Sequence, residues 1–167
     1  LIAERFPATL ELALAAAVLA LLVGIPMGVY AALRRGTFTS QVFMALSLLG
    51  VSLPTFLIGI LLILVFSVTL GWFPSFGRGE VVQLGWWSTG LLTAKGWHHL
   101  VLPSVTLAIF QLTLIMRLVR AEMLEVLRTD YIKFARARGL SDRAVHFGHA
   151  LKNTLVPVMT ITGLQLG

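Results

Sequence analysis

An all-α, polytopic membrane bundle is the fold class this sequence predicts, and three observations predict it. Hydrophobic residues fill 57% of the 167 positions and charged residues only 12%, against about 25% charged in soluble domains. No Asp, Glu, Lys or Arg occurs between Gly36 and Gly77, a run well beyond the roughly 18 apolar residues that mark a membrane span. The cations, finally, are clustered: Arg117 to Lys152 carries eight Lys or Arg against four Asp or Glu, most of the net charge of +6. Positive residues beside spans fix orientation in a membrane, so this charge argues for topology rather than for nucleic-acid binding.

Three full spans and the start of a fourth are expected, at about 8–33, 41–70, 99–120 and 153–167. Leu12 to Leu33 is uncharged and rich in Ala, Leu and Val, and its length matches a hydrocarbon core of about 30 Å. Gly24 and Gly28 lie four apart around Pro26, so their small surfaces permit close helix packing and the proline offers a bend. Arg34 and Arg35 then place cations at the helix C-terminus before Gly36 ends it, and a short polar turn is expected through Ser40.

Gln41 to Leu70 is too long for one upright helix, and Pro54 in its middle predicts that a tilt, kink or break absorbs the excess. Gly71 to Trp97 changes character, with six Gly, one Pro and four Trp; it is expected to be an external loop with aromatic anchors at the interface. Leu100 to Met116 resumes the apolar pattern and continues helically past Arg117 and Arg120. The last, mostly apolar segment gives only 15 residues, 153–167, where about 20 are needed to cross, so the chain is expected to be part of a longer one. With three alternating helices, Arg34, Arg35 and the basic segment fall on one side, the cytoplasmic one, and the Gly/Trp loop falls outside.

Within the basic segment, Met116, Val119, Met123, Leu127, Tyr131 and Ala135 recur at steps of three and four, the stripe of an amphipathic helix. Thr129 or Asp130 suits the N-cap of a helix running to Arg138, Gly139 suits a left-handed C′ position, and Ser141 suits the cap of a helix beginning at Asp142. A helix, a glycine turn and a second helix, spanning about 121–152, are therefore expected.

This segment resembles one family. The run R-L-V-R-A-E-M-L-E-V-L-R-T-D-Y-I-K-F-A-R-A-R-G-L-S (117–141) and H-A-L-K-N-T-L-V-P-V (149–158) are similar to the permease subunit of ABC importers of the dipeptide, oligopeptide and nickel class. L-G-W-F-P (70–74), L-V-L-P-S-V-T-L-A (100–108) and F-P-A-T-L-E-L-A (6–13) resemble the same family in the same order. The resemblance implies a permease-type bundle in the plasma (inner) membrane, in which the basic loop is a coupling segment docking on a separate ATP-binding subunit. It also implies a second permease subunit and an extracytoplasmic solute-binding protein as partners. By the same resemblance, the docking residues are Asp130, Tyr131, Lys133, Phe134, Ala135, Arg136, Ala137, Gly139 and Leu140. The family-wide pattern is E-A-A, three residues, Gly, nine residues, Ile-x-Leu-Pro. Placed on Gly139, only Ala135, Gly139 and Leu151 match, and Lys133 stands where the glutamate would be, so the docking role carries over but a carboxylate ion pair does not.

Other chemistry is scarce. No G-x-x-x-x-G-K-[ST] string exists to cradle ATP phosphates, so any ATP hydrolysis belongs to a partner, and no catalytic residue or cofactor is expected in the chain. There is no cysteine. The pairs His146/His149 and His98/His99 lack Cys or carboxylate company at metal-site spacing, and Ser52 and Ser104 lack a paired base. Among intramembrane polar residues, Ser52, Thr55, Gln111 and Thr113 are candidates for lining a translocation path, though such groups also glue helices together. The alternative classes are an integral membrane enzyme, which needs convergent acid, base or metal residues, and an ion-coupled secondary transporter, which needs buried acids. The one acid near a span, Glu11, is expected to reach the interface. The sequence therefore points to a permease subunit for peptides or a related small solute.

Overall fold

The computed structural model describes the backbone of residues 2–166 and the side chains of 5–164. In chain order the elements are α1 (Ile2–Leu33), α2 (Phe38–Ser52), α3 (Thr55–Leu62) continued by a π-helical stretch (Ile63–Thr69), β1 (Val82–Leu84), β2 (Trp87–Thr89), α4 (Ala94–Val126), α5 (Asp130–Ala137), a second π-helical stretch (Ala144–Ala150) and α6 (Leu151–Leu166). Among the described residues, Arg5–Leu33 and Ala94–Val126 are each long and apolar enough to cross a membrane, and α2 with α3 makes a third if the broken pair is one span. The chain forms two compact units, one of residues 1–19 and 52–111 and the other of residues 20–51 and 112–167.

In the first unit, Pro54 shows why the long uncharged run is not one helix. Its ring removes a backbone donor and disfavours the α conformation at Leu53, so α3 restarts with Pro54 at ψ 135° as its N-cap. Gly59 of α3 packs closely on α4, where an added Cβ would lie 3.2 Å from Thr106 Cγ2. The stretch expected to be a plain loop contains a hairpin, pairing Val82 with Thr89, Gln83 with Ser88 and Leu84 with Trp87. Of its two turn residues only Gly85 has positive φ, +68°, the signature of a II′ turn. Thr93 then N-caps α4, its Oγ1 accepting from the Gly96 N–H at 3.0 Å, so α4 begins at Ala94, ahead of the expected span start at about 99, and it runs past Arg120 to Val126.

The second unit is held by small-residue packing and a dense core. An added Cβ on Gly24 would lie 3.1 Å from Ile115 Cγ2, and one on Gly28 would lie 2.7 Å from the Met116 carbonyl. That is the close approach the four-residue spacing predicts. Gly36 ends the chain's first turn at φ +83°. The polar turn is shorter than expected because Thr37 caps α2 at once, its Oγ1 accepting from Ser40 N–H at 3.3 Å. Met116, Val119, Met123, Ile132, Val145 and Val158 are fully buried. Thr154 joins them without an unpaired polar atom, since its hydroxyl reaches the Ala150 carbonyl at 2.9 Å.

Candidate functional site

The basic segment is built as two short helices around one glycine. α4 ends in a turn over Arg128 and Thr129, with Thr129 N–H donating to the Val126 carbonyl at 3.1 Å. Thr129 is the N-cap of α5 in backbone terms, at ψ 152°, but its hydroxyl turns back to the Val126 carbonyl at 2.7 Å. The helix is capped by the Thr129 carbonyl, which accepts from Ile132 and Lys133, each at 3.2 Å, and Asp130 places a carboxylate at the positive end of the helix dipole.

At the other end Gly139, at φ +82°, donates to the Arg136 carbonyl at 2.9 Å, and Leu140 N–H reaches the Ala135 carbonyl at 3.4 Å. These two bonds are the Schellman pattern that a left-handed C′ glycine permits. Ser141 caps the next helix, its Oγ accepting from Ala144 N–H at 3.3 Å. α5 thus starts and stops within a single eight-residue helix whose direction is fixed at both ends.

Side-chain placement sorts the expected docking residues. Ile132 and Ala135 face inward, Ala135 at 4% exposure, so Ala135 is an internal packing residue and offers no outer contact. Of the expected stripe, Met116, Val119, Met123 and Ala135 are buried, while Tyr131 is exposed and Ile132, after the non-helical turn at 127–129, takes the inward position beside Ala135. Tyr131 is 49% exposed and Phe134 63%. Leu140, Lys133, Arg136, Ala137 and Gly139 are also exposed. Tyr131 is tethered, its hydroxyl bonded to His149 Nδ1 with the rings 5.5 Å apart. The Arg138 guanidinium lies 5.8 Å from the Phe134 ring centroid, a cation–π distance. Lys133 pairs with Asp130 at 2.8 Å, and Arg136 lies 4.0 Å from Asp142. The surface offers two aromatic rings and excess cations on a helix anchored by Ile132.

The residues expected along a path are more scattered. Ser52 and Thr55 flank the Pro54 break and are exposed and half-buried, respectively. Gln111 is half-buried, with a buried carbonyl oxygen that has no hydrogen-bond partner among the described residues. Thr113 is 2% exposed, enclosed by the chain's own atoms rather than lining an opening. Glu11 departs most from expectation: it is 7% exposed, with Oε2 3.6 Å from Arg78 Nη2 and 3.4 Å from the Gly90 N–H. Its partners lie far away in sequence, which is why only the folded chain reveals the pair. Among the described residues no group of three or more His, Cys, Asp or Glu is placed to hold a metal ion.

Span-length apolar helices joined to a basic helix–glycine–helix segment define a membrane protein, and residues 24–167 match the family described as binding-protein-dependent transport system inner membrane component. The chain belongs to that family. It is 44% identical over 174 residues to the di/tripeptide transport system permease protein DppB of Pseudomonas aeruginosa, covering 97% of this chain and 52% of that protein. It is 38% identical over 166 residues to the glutathione transport system permease protein GsiC of Escherichia coli K12, covering 99% and 49%. The chain spans about half the length of the curated relatives it matches.

Proposed function

We propose that this chain is part of the transmembrane permease subunit of an ATP-driven importer for peptides or a related small solute. In this reading the basic loop, about 121–152, lies in the cytoplasm and α5 docks on a separate ATP-binding subunit. The observation that carries it is α5 itself, a short helix fixed by caps at both ends and anchored by Ile132, whose outer face holds Tyr131 and Phe134 exposed beside Arg138. Large exposed aromatics among cations are the usual anchors of a protein interface. The di/tripeptide and glutathione relatives support the cargo class. Closure of the ATP-binding subunits would carry α5 with it and tilt the attached spans between inward- and outward-facing states. A second permease subunit would complete the path, to which Ser52, Thr55 and Gln111 contribute, and an extracytoplasmic solute-binding protein would deliver the cargo.

Two measurements test this. Because this chain has no cysteine, single cysteines at Ser141 and Ser75, both exposed, report sidedness cleanly once any cysteine elsewhere in the full-length protein is replaced. An impermeant thiol reagent applied to intact cells is expected to label position 75 and spare 141; the reverse pattern refutes the orientation. Purification of the full permease is expected to bring the ATP-binding subunits with it, and their absence from a folded preparation refutes the docking.

A further inference from the structure

Burial alone does not fix the direction of α5. Ile132 and Ala135 hold its inner face through apolar contact, which is non-directional, and the chain leaves its far end through Gly139, where nothing lies within 4 Å of an added Cβ. An apolar face and one open backbone joint leave an eight-residue helix able to turn about its own axis.

The directional restraint comes from the other end, because a hydrogen bond weakens steeply when its geometry is lost. Tyr131, in the first turn of α5, shares a hydrogen bond between its hydroxyl and His149 Nδ1, and the two rings meet edge to face, 5.5 Å apart at 74°. The partners lie 18 residues apart in sequence, on opposite sides of the Gly139 turn, so the bond closes a loop from α5 onto the stretch that enters α6. The backbone that carries His149 is unusual. Ala144–Ala150 is π-helical, with the Leu151 N–H donating to the His146 carbonyl five residues back, and α6 continues from Leu151 without a break. Turns of this kind are rare and gather at functional sites; this one sets a half-buried imidazole against Tyr131 at the root of α6.

We propose that His149 is a positioning residue of the transport cycle: by holding the Tyr131 hydroxyl it fixes the rotation of α5 and joins that helix to the root of α6, so that the two move as one piece. The role in transport rests on the docking reading of α5. The Gly139 turn then holds the C-terminal end of α5 and the Tyr131–His149 bond its N-terminal end, and a displacement of the docked helix passes to α6 through both.

The test uses the full transporter with its ATP-binding subunits, in nanodiscs for amide hydrogen exchange and in proteoliposomes for uptake of alanyl-alanine per ATP hydrolysed. His149→Leu is expected to speed exchange over positions 130–138 about threefold, the effect of one hydrogen bond on an exposed helix, and to lower uptake per ATP by a similar factor. Tyr131→Phe, which keeps the ring, should do the same, and the double variant should be no worse than either single one, since both remove the same bond. Asparagine carries its amide as many bonds from Cα as Nδ1 stands, so His149→Asn should restore most of the protection and of the coupling. Unchanged exchange in both single variants, additive losses in the double, or an asparagine variant no better than leucine overturns the proposal. Normal uptake per ATP despite faster exchange overturns it too. An unmutated transporter that takes up no dipeptide counts against the cargo reading, and one that purifies without ATP-binding subunits counts against the docking reading; in both cases exchange over 130–138 still decides whether His149 positions α5.

Discussion

The glycine-rich stretch before α4 and the basic stretch after it both redirect the chain, but they dispose of their polar groups in opposite ways. In the first, Arg78 is held by Ser88 and Glu11, Lys95 pairs with Glu80, and the Trp97 indole donates to the Leu91 carbonyl at 2.8 Å. Its charges find partners within the chain. In the second, cations outnumber acids two to one, so half of them have no acid in the segment to pair with, and Phe134 projects with the Arg138 guanidinium over its ring. A segment whose charges are matched internally needs no further ion pair, whereas unmatched cations beside an exposed ring on a rigid helix suit the docking proposed for α5.

The sharpest way to break the first region is Gly96→Ala. A Cβ there would fall 2.0 Å from the Gly90 carbonyl oxygen and 2.6 Å from its carbon, and backbone cannot rotate aside as a side chain can. Overpacking of this kind costs about 1–3 kcal/mol and sometimes more, so the hairpin is expected to detach from the start of α4. Thermal unfolding of the detergent-solubilised protein, with proteolysis between positions 71 and 93, measures it. An unchanged midpoint with an intact loop would mean that the two glycines do not touch.

In the second region, effects should divide between folding and docking. Phe134→Ala is expected to leave thermal stability within about 0.5 kcal/mol, as surface changes usually do, while weakening retention of the ATP-binding subunits by 2 kcal/mol or more, roughly thirtyfold. Ala135→Trp should do the reverse in origin, lowering the unfolding midpoint because position 135 is buried. Equal thermal loss in both variants would erase the distinction between the outer and inner faces of α5. A smaller effect is expected for Gly139→Val. Nothing lies within 4 Å of a Cβ at that position, so the cost is conformational alone, about 1–2 kcal/mol for a left-handed φ. Uptake should fall with insertion preserved, and Gly139→Asn should restore part of it, since asparagine tolerates that region. Normal uptake by the valine variant would show that the turn does not direct α5.

How much of this was legible depended on how local each cause is. The Pro54 break, the Gly24/Gly28 packing face and the Gly139 turn each follow from a residue's own backbone chemistry or a spacing of four, and sequence reading finds them. The hairpin was missed because V-Q-L and W-S-T are too short to show a period of two, and Gly85-Trp86 is not a strong turn signal. On α5 the count of threes and fours placed Ala135 on the buried stripe but chose Tyr131 where Ile132 is buried, because it ran across a turn that is not helical. Glu11 and Arg78 carry no local mark at all; only the fold brings them together. Sites made from neighbouring residues are therefore visible early, and sites assembled from distant ones are not.

The smallest expected effect is also the one that tells whether α5 is held by shape or by charge. Lys133 stands where the family pattern has glutamate, and its ammonium is already 2.8 Å from Asp130 one turn earlier, with both side chains at least 70% exposed. An exposed pair of this kind contributes about 0–1 kcal/mol, and salt screens it. Lys133→Ala should therefore change retention of the ATP-binding subunits less than about threefold and leave uptake near its original rate, at low and at high ionic strength. A loss comparable to that of Phe134→Ala, relieved or deepened by salt, would move the docking contact from the aromatic rings to the cations and put the pairing of Lys133, rather than the exposure of Tyr131 and Phe134, at the centre of the interface.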